Sequence, residues 1–238
     1  TMLRNFFKTT FRNLWKNKSY VLINILGLSL SLACCIVAYL NYQFADDYDG
    51  NHENQNRIYK IQVAKSVQDQ KVPYGITPLP LGTKLADQLS EVKYSTRYNS
   101  GGIVMKKDNN VFEEGLGFAE DNFFDIFSFP MKYGSQDALQ DRGKIILSEE
   151  MAEKLFEDMD PTGEMVTLIK DDGTTLTKLV GGVCEKIPLN SSIHFSGLMH
   201  WDNYHSIYDV DRNNWKSFIA ATFIMTETEQ APQEVLNT

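Results

Sequence analysis

Residues 19–45, SYVLINILGLSLSLACCIVAYLNYQFA, carry no charged side chain, and this stretch decides how the chain is organised. As an α-helix it would be about 40 Å long, enough to cross a hydrocarbon core of about 30 Å. Only basic charges precede it, whereas Asp46, Asp47 and Asp49 come closely after it. Because basic flanks stay in the cytoplasm, the pattern predicts a cytoplasmic N-terminus, a transmembrane helix and an extracytoplasmic domain.

A cleaved signal peptide is the alternative interpretation of this segment. The basic leader is longer than the charged region of a signal peptide, and the apolar run exceeds a signal peptide's hydrophobic region. The sequence therefore favours a helix that is retained.

Charge is distributed unevenly on the two sides of the span. Residues 1–18 carry five basic side chains, and residues 46–238 carry 18 basic and 31 acidic ones, a net charge of −13. A basic leader suits the anionic inner leaflet, so the lipid membrane is an expected partner. An acidic outer domain argues against nucleic acid. Cys184 is the single cysteine of that domain, which leaves no disulfide within it.

Residues 1–18 are predicted to form a cytoplasmic amphipathic helix at the membrane surface. Basic residues recur every four positions, and aromatic and aliphatic residues fill the other side. This pattern is typical of a helix that lies in the headgroup region, although a merely basic tail is the alternative. The predicted interface residues are Arg4, Lys8, Arg12, Lys16, Lys18 and Trp15.

Small and polar residues form a stripe along the span at alternating steps of 3 and 4 positions. This spacing places them on one side of a helix. Small residues allow membrane helices to approach closely, so the stripe predicts packing against other membrane helices, with chance composition as the alternative. The predicted packing residues are Asn24, Gly27, Ser31, Cys34 and Ala38, and the stripe continues through Asn41 and Ala45.

The outer domain alternates strand and helix signals, which predicts an α+β fold. Alternating polarity predicts a strand at 57–65, and leucine spacing predicts a helix at 81–89. Ser148, followed by two glutamates, predicts a helix N-cap. The other predicted elements are strands on both sides of a turn at 108–110, a helical turn at 122–129, and strands at 144–147, 165–169, 174–184 and 218–225.

Two segments are predicted to join the domain to the membrane. Polar, turn-rich Asp46–Asn56 is predicted to be a linker whose acidic residues are solvated. Residues 231–238, with a proline near the first turn, are predicted to begin a return helix.

No catalytic, cofactor-binding or metal-binding motif is recognisable in the sequence. Phosphate-binding GxxxxGK[ST] and GxGxxG patterns are missing, and so is the GxSxG nucleophile elbow. An EF-hand template fails at its first position, Ala45. His200 and His205 near Asp202 leave a loose metal site as the alternative to an ordinary loop. The chain is predicted not to be an enzyme and to bind no cofactor itself.

Four phenylalanines between residues 122 and 130 are predicted to belong to the core. A pocket for a hydrophobic ligand is the alternative. Cys184 lacks a basic neighbourhood except for Lys186 and is also predicted to be a core residue. Gly181 with Gly182 predicts a β-bulge or close packing.

Several stretches resemble MacB/FtsX-like ABC transporter permeases, particularly the large Bacteroidetes-type ones. The leader and span that resemble the family are RNFFKTTFRNLWKNKSYVLINILGLSLSLACCIV at 4–37. The pieces that resemble its periplasmic core domain are YDGNHENQNRIYKI at 48–61, AEDNFFDIFSFPMKYG at 119–134, ILSEEMAEKLFEDMDPTG at 146–163 and VGGVCEKIPLNSSIHF at 180–195.

This resemblance implies a non-catalytic permease subunit of the mechanotransmission type in the bacterial inner membrane. Its partners would be a cytoplasmic ABC ATPase, which binds ATP and Mg²⁺, and a second permease copy or half, in a dimer or pseudo-dimer. Its periplasmic domain would contact a lipoprotein, peptide or drug-like substrate, or a periplasmic partner protein. The family's mixed α/β domain commonly carries a smaller inserted subdomain, which would fall near 91–175.

A membrane-anchored sensor is the alternative class of protein. It would combine one span, an extracytoplasmic ligand-binding domain and a second helix that leads to a signalling module. The two classes differ in the segments expected beyond residue 238, since the permease requires three more membrane helices.

Overall fold

The computed structural model describes residues 2–67, 70–89 and 91–229. It divides into two compact units, residues 1–48 and residues 49–238. The first unit consists of helices α1 (Met2–Lys16) and α2 (Lys18–Asp46). Within the described residues, α2 is the one helix that is long and apolar enough to cross a membrane. The return helix predicted at 231–238 lies outside the described residues.

The second unit is an α+β domain, as the sequence predicts. Its helices are α3 (Leu81–Gln88), α4 (Phe123–Ile126), α5 (Glu149–Phe156) and α6 (Asp202–Tyr208), with short 3₁₀ helices at Gln55–Arg57 and Gln136–Gln140. Its strands are β1 (Ile58–Lys60), β2 (Val63–Val67), β3 (Gln70–Tyr74), β4 (Thr77–Pro78), β5 (Val92–Lys107), β6 (Asn110–Ala119), β7 (Met131–Gly134), β8 (Lys144–Ser148), β9 (Met165–Ile169), β10 (Thr175–Cys184), β11 (Gly197–His200), β12 (Phe218–Ile219) and β13 (Ala221–Thr226).

Nine of these strands form one mixed sheet, in which eight follow the order β1-β13-β5-β6-β11-β8-β10-β7 and β9 lies off this path. The pairs β6–β11 and β8–β10 are parallel, and the other pairs are antiparallel. Strand β9 pairs with both β10 and β5, so the path from β5 through β6, β11, β8 and β10 closes on itself. Two small sheets, β2–β3 and β4–β12, lie outside it.

The sheet buries side chains on both faces, in two separate clusters. Strand residues alternate between the faces, so Leu147 belongs to the first cluster and its neighbour Ile146 to the second. Helices α5 and α6 cover the first cluster, where Leu155 and Ile207 are buried. The second contains the predicted core phenylalanines Phe123, Phe127 and Phe129, with Phe124 packed against them, and Cys184.

An arginine is buried on β5, where Arg97 lies opposite Thr222 of β13. The Nη2 atom of Arg97 lies 2.5 Å from Oε1 of Glu120, and Nη1 donates to the carbonyl of Leu79 at 3.1 Å. Its guanidinium carbon lies 4.5 Å from the centre of the Trp201 ring. A buried charge is tolerated when it is paired and hydrogen-bonded, and Arg97 meets both conditions.

Local signals are confirmed where the structure tests them. The Ser148 hydroxyl accepts the amide of Met151 at 3.2 Å and caps α5. The register of β10 against β8 shifts between Val180 and Gly182, which is the predicted bulge. Helix α3 occupies all but the last residue of the predicted range 81–89.

Two predicted strands are each broken in two. The strand predicted at 57–65 ends at Lys60 and resumes at Val63, because the chain leaves the large sheet to form the β2–β3 hairpin. The strand predicted at 218–225 is interrupted at Ala220, whose amide donates to the side chain of Asn99 at 2.9 Å. An inserted subdomain at 91–175 stays a prediction, and β5, within that range, pairs with β13 outside it.

Gly134 should be the glycine that tolerates a side chain least. Its φ is +72°, and an added Cβ would lie 2.3 Å from the carbonyl oxygen of Gly181. We expect Gly134→Ala to lower the free energy of unfolding by more than about 2 kcal/mol, because strain and a backbone clash combine. Urea denaturation in detergent, followed by circular dichroism, measures this change.

Gly163→Ala is the matched control for this substitution. Gly163 also has a positive φ, +91°, but an added Cβ would meet nothing within 4 Å. The expected loss is therefore about 1 kcal/mol, from backbone strain alone. Equal losses in the two variants would contradict the assigned clash.

Candidate functional site

Helix α1 carries the predicted membrane-interface residues. Arg4, Lys8, Arg12 and Lys16 lie along it, and Lys18 is the first residue of α2. Its aromatic side chains are 65–77% exposed, and these are Phe6, Phe7, Phe11 and Trp15. Transfer of exposed aromatic groups from water to an apolar medium lowers the free energy. This face of α1 therefore fits a membrane surface. The interfacial role stays a prediction.

The stripe of small residues lies on α2. Its predicted members, Asn24, Gly27, Ser31, Cys34 and Ala38, are exposed in the single chain. The Ser31 hydroxyl donates to the carbonyl of Gly27 at 2.8 Å, and the Asn41 amide donates to the carbonyl of Val37 at 2.8 Å. These donors are satisfied within the helix, as a helix in lipid requires. Packing against further helices stays a prediction.

Residues 49–57, here called the connector, lead from the first residue of the second unit to β1. The amide of Asp49 donates to the carbonyl of Asn190 at 2.8 Å. The Asp49 carboxylate accepts the amide of Ser192 at 2.6 Å. The connector is thereby joined at its start to the loop that precedes β11.

His52 is the buried centre of the connector. Its side chain is only 3% exposed, and its ring centre lies 5.1 Å from those of both Phe127 and Phe129. The Nδ1 atom accepts the amide of Ser128 at 3.2 Å. The neutral ring therefore carries its proton on Nε2, which has no hydrogen-bond partner among the described residues.

Burial lowers the pKa of the His52 imidazole from its ordinary value, and the nearby Asp49 carboxylate opposes part of that shift. The neutral form is also the one that can accept the Ser128 amide at Nδ1. Desolvation is the largest effect on this pKa, and it favours the neutral ring.

Two more hydrogen bonds join the connector to the segment around α4. The amide of Glu53 donates to the Ser128 hydroxyl at 3.1 Å, and the Asn54 side chain donates to the carbonyl of Asp125 at 3.4 Å. Arg57 in turn donates to the Asn54 side-chain oxygen. Together with His52, these contacts hold the connector against the second hydrophobic cluster.

The prediction of a solvated linker at Asp46–Asn56 is therefore wrong for His52, which is buried. Glu53 is exposed as predicted, but His52 is buried among phenylalanines that lie about 75 residues later in the chain. The polar composition of residues 49–54 did not indicate this contact. The one available signal was a histidine, whose aromatic ring can pack against other rings, within a run of polar residues.

The histidines considered as a loose metal site do not come together. The Nε2 atom of His200 lies 2.7 Å from Oδ1 of Asp121, whereas Nδ1 of His205 contacts the carbonyl of Val210 at 3.0 Å. No group of three or more metal-ligating side chains occurs among the residues that the structure describes. Burial raises the pKa of the Cys184 thiol to about 12, which fits an unreactive core residue.

An acidic α+β domain that follows a candidate membrane span is the architecture of an extracytoplasmic domain of a membrane protein. A family model described as the MacB-like periplasmic core domain matches residues 21–237. The chain therefore belongs to this family, and the resemblance seen in the sequence is confirmed. No curated protein matches.

Two solved structures share the fold. A domain assigned to a permease protein from Porphyromonas gingivalis has a TM-score of 0.63 at 22% identity, over 77% of this chain and 78% of that one. The periplasmic region of MacB from Actinobacillus actinomycetemcomitans has a TM-score of 0.55 at 15% identity, over 82% of this chain and 84% of that one.

Charge reversal of α1 tests the interfacial role. We expect a variant with Arg4, Lys8, Arg12 and Lys16 all changed to Glu to place its N-terminus outside the cytoplasm in a larger fraction of molecules. Protease protection in spheroplasts measures that fraction. Exchanging Arg for Lys and Lys for Arg at the same positions retains the charge and should leave the orientation unchanged. A Glu variant with normal membrane orientation and level counts against the role.

The docking of His52 should weaken in acid. Because its folded pKa lies below the unfolded value of about 6.5, its stabilisation is complete above about pH 6.5 and is lost as the pH falls through the folded pKa. We expect the Ser128 amide to exchange faster as the pH is lowered from about 7 to about 5, after correction for intrinsic rates. Hydrogen-exchange mass spectrometry measures this.

His52→Asn supplies the control for that experiment. Its side-chain oxygen can accept the Ser128 amide but does not titrate. The corrected exchange rate in this variant should not depend on pH. The same pH dependence in wild type and variant would rule out His52 as its source.

Proposed function

We propose that this chain is the N-terminal part of an ABC transporter permease subunit of the mechanotransmission type. Helix α2 would span the inner membrane with α1 in the cytoplasm, and residues 46–238 would lie in the periplasm. Family membership, the candidate span and the basic leader support this assignment.

The connector is the observation that carries the proposal. A domain that only samples solutes needs no more than a flexible tether, but a mechanical link must resist extension. Here Asp49, His52, Glu53 and Asn54 all make hydrogen bonds to distant parts of the second unit. Movement of the chain at residue 49 would therefore displace the packed domain rather than stretch a loop.

A mechanical coupling role requires a cytoplasmic ATPase and a second permease copy or half as partners. A separate cytoplasmic ATPase would bind ATP and Mg²⁺ and hydrolyse the nucleotide, and a second permease copy or half would complete the transporter. Work would be done on a lipoprotein, peptide or drug-like substrate outside the membrane. Among the residues that the structure describes, none is assigned a catalytic role.

The full-length permease, purified in nanodiscs with its co-purifying ATPase, tests the coupling. Trapping with ATP and vanadate should change amide exchange in the connector and in β1 of the wild-type protein. In His52→Ala, ATP hydrolysis should continue while the exchange change beyond residue 49 is lost, because the packing and the Ser128 bond are removed.

His194→Ala is the matched control, since the side chain of His194 is exposed. It should retain the wild-type exchange change. Failure to purify any ATPase with the full-length permease, or an unaltered exchange change in His52→Ala, would count against the proposal. A reading frame with a single further helix and a kinase-like module would favour the sensor instead.

A further inference from the structure

Leu189 is the most exposed large apolar residue of the second unit, among the residues that the structure describes. It is 81% exposed and lies in the segment at 186–192, here called the proline loop. An exposed apolar residue alone needs no explanation, because protein surfaces contain many of them. Leu189 differs in its position, since the proline loop is joined to the connector at the point where the second unit begins.

The proline loop holds Leu189 outward in an ordered turn. The amide of Ser191 donates to the carbonyl of Pro188 at 3.1 Å, which closes a tight turn around Leu189. Ser191 is itself buried. At the start of the loop, the amide of Lys186 donates to the Glu149 carboxylate at 2.9 Å. The exposure of Leu189 therefore belongs to a loop that is hydrogen-bonded at its start and across its turn.

Two hydrogen bonds limit the distance between the proline loop and the end of the first unit. The amide of Asp49 donates to the carbonyl of Asn190 at 2.8 Å, and the Asp49 carboxylate accepts the amide of Ser192 at 2.6 Å. Asn190 directly follows Leu189, and Asp49 directly follows Tyr48. Standard bond lengths then keep the Cα atoms of Leu189 and Tyr48 within about 12 Å of each other, however the two units are oriented.

Tyr48 lies at the level of the lipid headgroups when α2 spans the membrane as proposed above. Helix α2 has 29 residues and is about 44 Å long, which matches a bilayer with its headgroups, about 40–45 Å thick. Tyr42, Phe44 and Tyr48 are exposed at and just beyond its C-terminal end. Aromatic side chains at the end of a span are typical of the membrane–water interface.

Phospholipid is the occupant that this position favours. The headgroup layer surrounds the chain at Tyr48, and the hydrogen bonds of Asp49 keep Leu189 within reach of that layer. A second copy of the chain or a partner protein would have to be recruited to this place, whereas lipid is always present beside a membrane span.

Lys186 supplies a polar contact in the same loop. Its Nζ atom lies 3.8 Å from Oε1 of Glu150, and both side chains are well exposed. An exposed pair of this kind contributes little to stability, so the ammonium group can pair with a lipid phosphate instead. Asp46 and Asp47 precede the connector, and their charges favour a zwitterionic phospholipid over an anionic one.

We propose that the proline loop binds the extracytoplasmic surface of the phospholipid bilayer. Leu189 inserts between the headgroups, and Lys186 pairs with lipid phosphates. The second unit then has an attachment to the membrane besides its chain link to α2. This binding rests on the spanning role proposed for α2, and it requires neither an ATPase nor a nucleotide.

Fluorescence quenching on the full chain, one copy in each nanodisc, tests the proposal. Cys34 and Cys35 are changed to Ala, and Cys184 is buried, so a cysteine introduced by Ser192→Cys is the site that takes an NBD label. The bilayer is phosphatidylcholine that includes a fraction of lipid with a nitroxide on its headgroup. Because nitroxides quench NBD only at short range, the signal reports contact with the headgroup layer.

Two reference positions calibrate the signal. A label at Tyr48→Cys reports the headgroup layer at the end of α2. A label at Met159→Cys lies on an exposed residue beyond the end of α5, outside the proline loop. The label at residue 192 should be quenched nearly as strongly as the one at residue 48, and the one at residue 159 should stay unquenched.

Substitutions in the loop identify the groups that make the contact. Leu189→Ser should reduce the quenching at residue 192 by about half or more, because the apolar anchor is removed. Lys186→Glu should reduce it as well, because phosphate then meets a negative charge. Met159→Ser and Lys106→Glu are the matched controls, since both change exposed residues outside the loop, and they should leave the quenching unaltered.

The outcomes separate this proposal from the spanning role of α2. Quenching at residue 48 without quenching at residue 192 overturns lipid binding by the loop and leaves the spanning role intact. Absence of quenching at both positions overturns both. Lipid binding by the loop is also overturned by equal quenching at residue 159, by unchanged quenching in Leu189→Ser, or by quenching that appears only in nanodiscs with two copies of the chain.

Discussion

The hydrogen bond from the Ser128 amide to the His52 imidazole, made among phenylalanine rings, anchors the connector in the second hydrophobic cluster of the domain. It holds the connector at its middle, and β1 begins within a few residues. β1 then pairs with β13 in a register that places Ile58 opposite Met225. A slip of one residue would turn Ile58 to the opposite face of the sheet. The buried His52 and the β1–β13 pairing therefore both fix the position of β1.

Behind the connector, the sheet is built to resist deformation. The strand path closes through β9, which leaves few free edges in that part of the sheet. Arg97 adds a paired charge on β5, and moving that strand would leave the charge without its partners. A force applied at the connector therefore meets a body with two packed clusters, which suits the coupling role proposed above.

Elements with local signals could be predicted from the sequence. The span, α3, the cap of α5 and the bulge in β10 each depend on residues within a few positions of one another. His52 could not be placed, because its contacts lie far along the chain and its neighbours are polar. The strand order could not be predicted either, because β6 and β11 pair across about 80 residues of sequence. The roles of α1 and of the stripe on α2 depend on lipid and on other helices, which no pattern in one chain can test.

The pairing of the first strand with the last has a consequence for biosynthesis. Among the described strands, β1 pairs only with β13, whose residues are made about 160 positions later. During synthesis, β1 must wait without its strand partner until nearly all of the domain has been made. The docking of His52 faces a similar but shorter delay, since its phenylalanine partners arrive well before β13. The connector can thus settle first and present β1 in position, so that the final strand completes the sheet against an edge already in place.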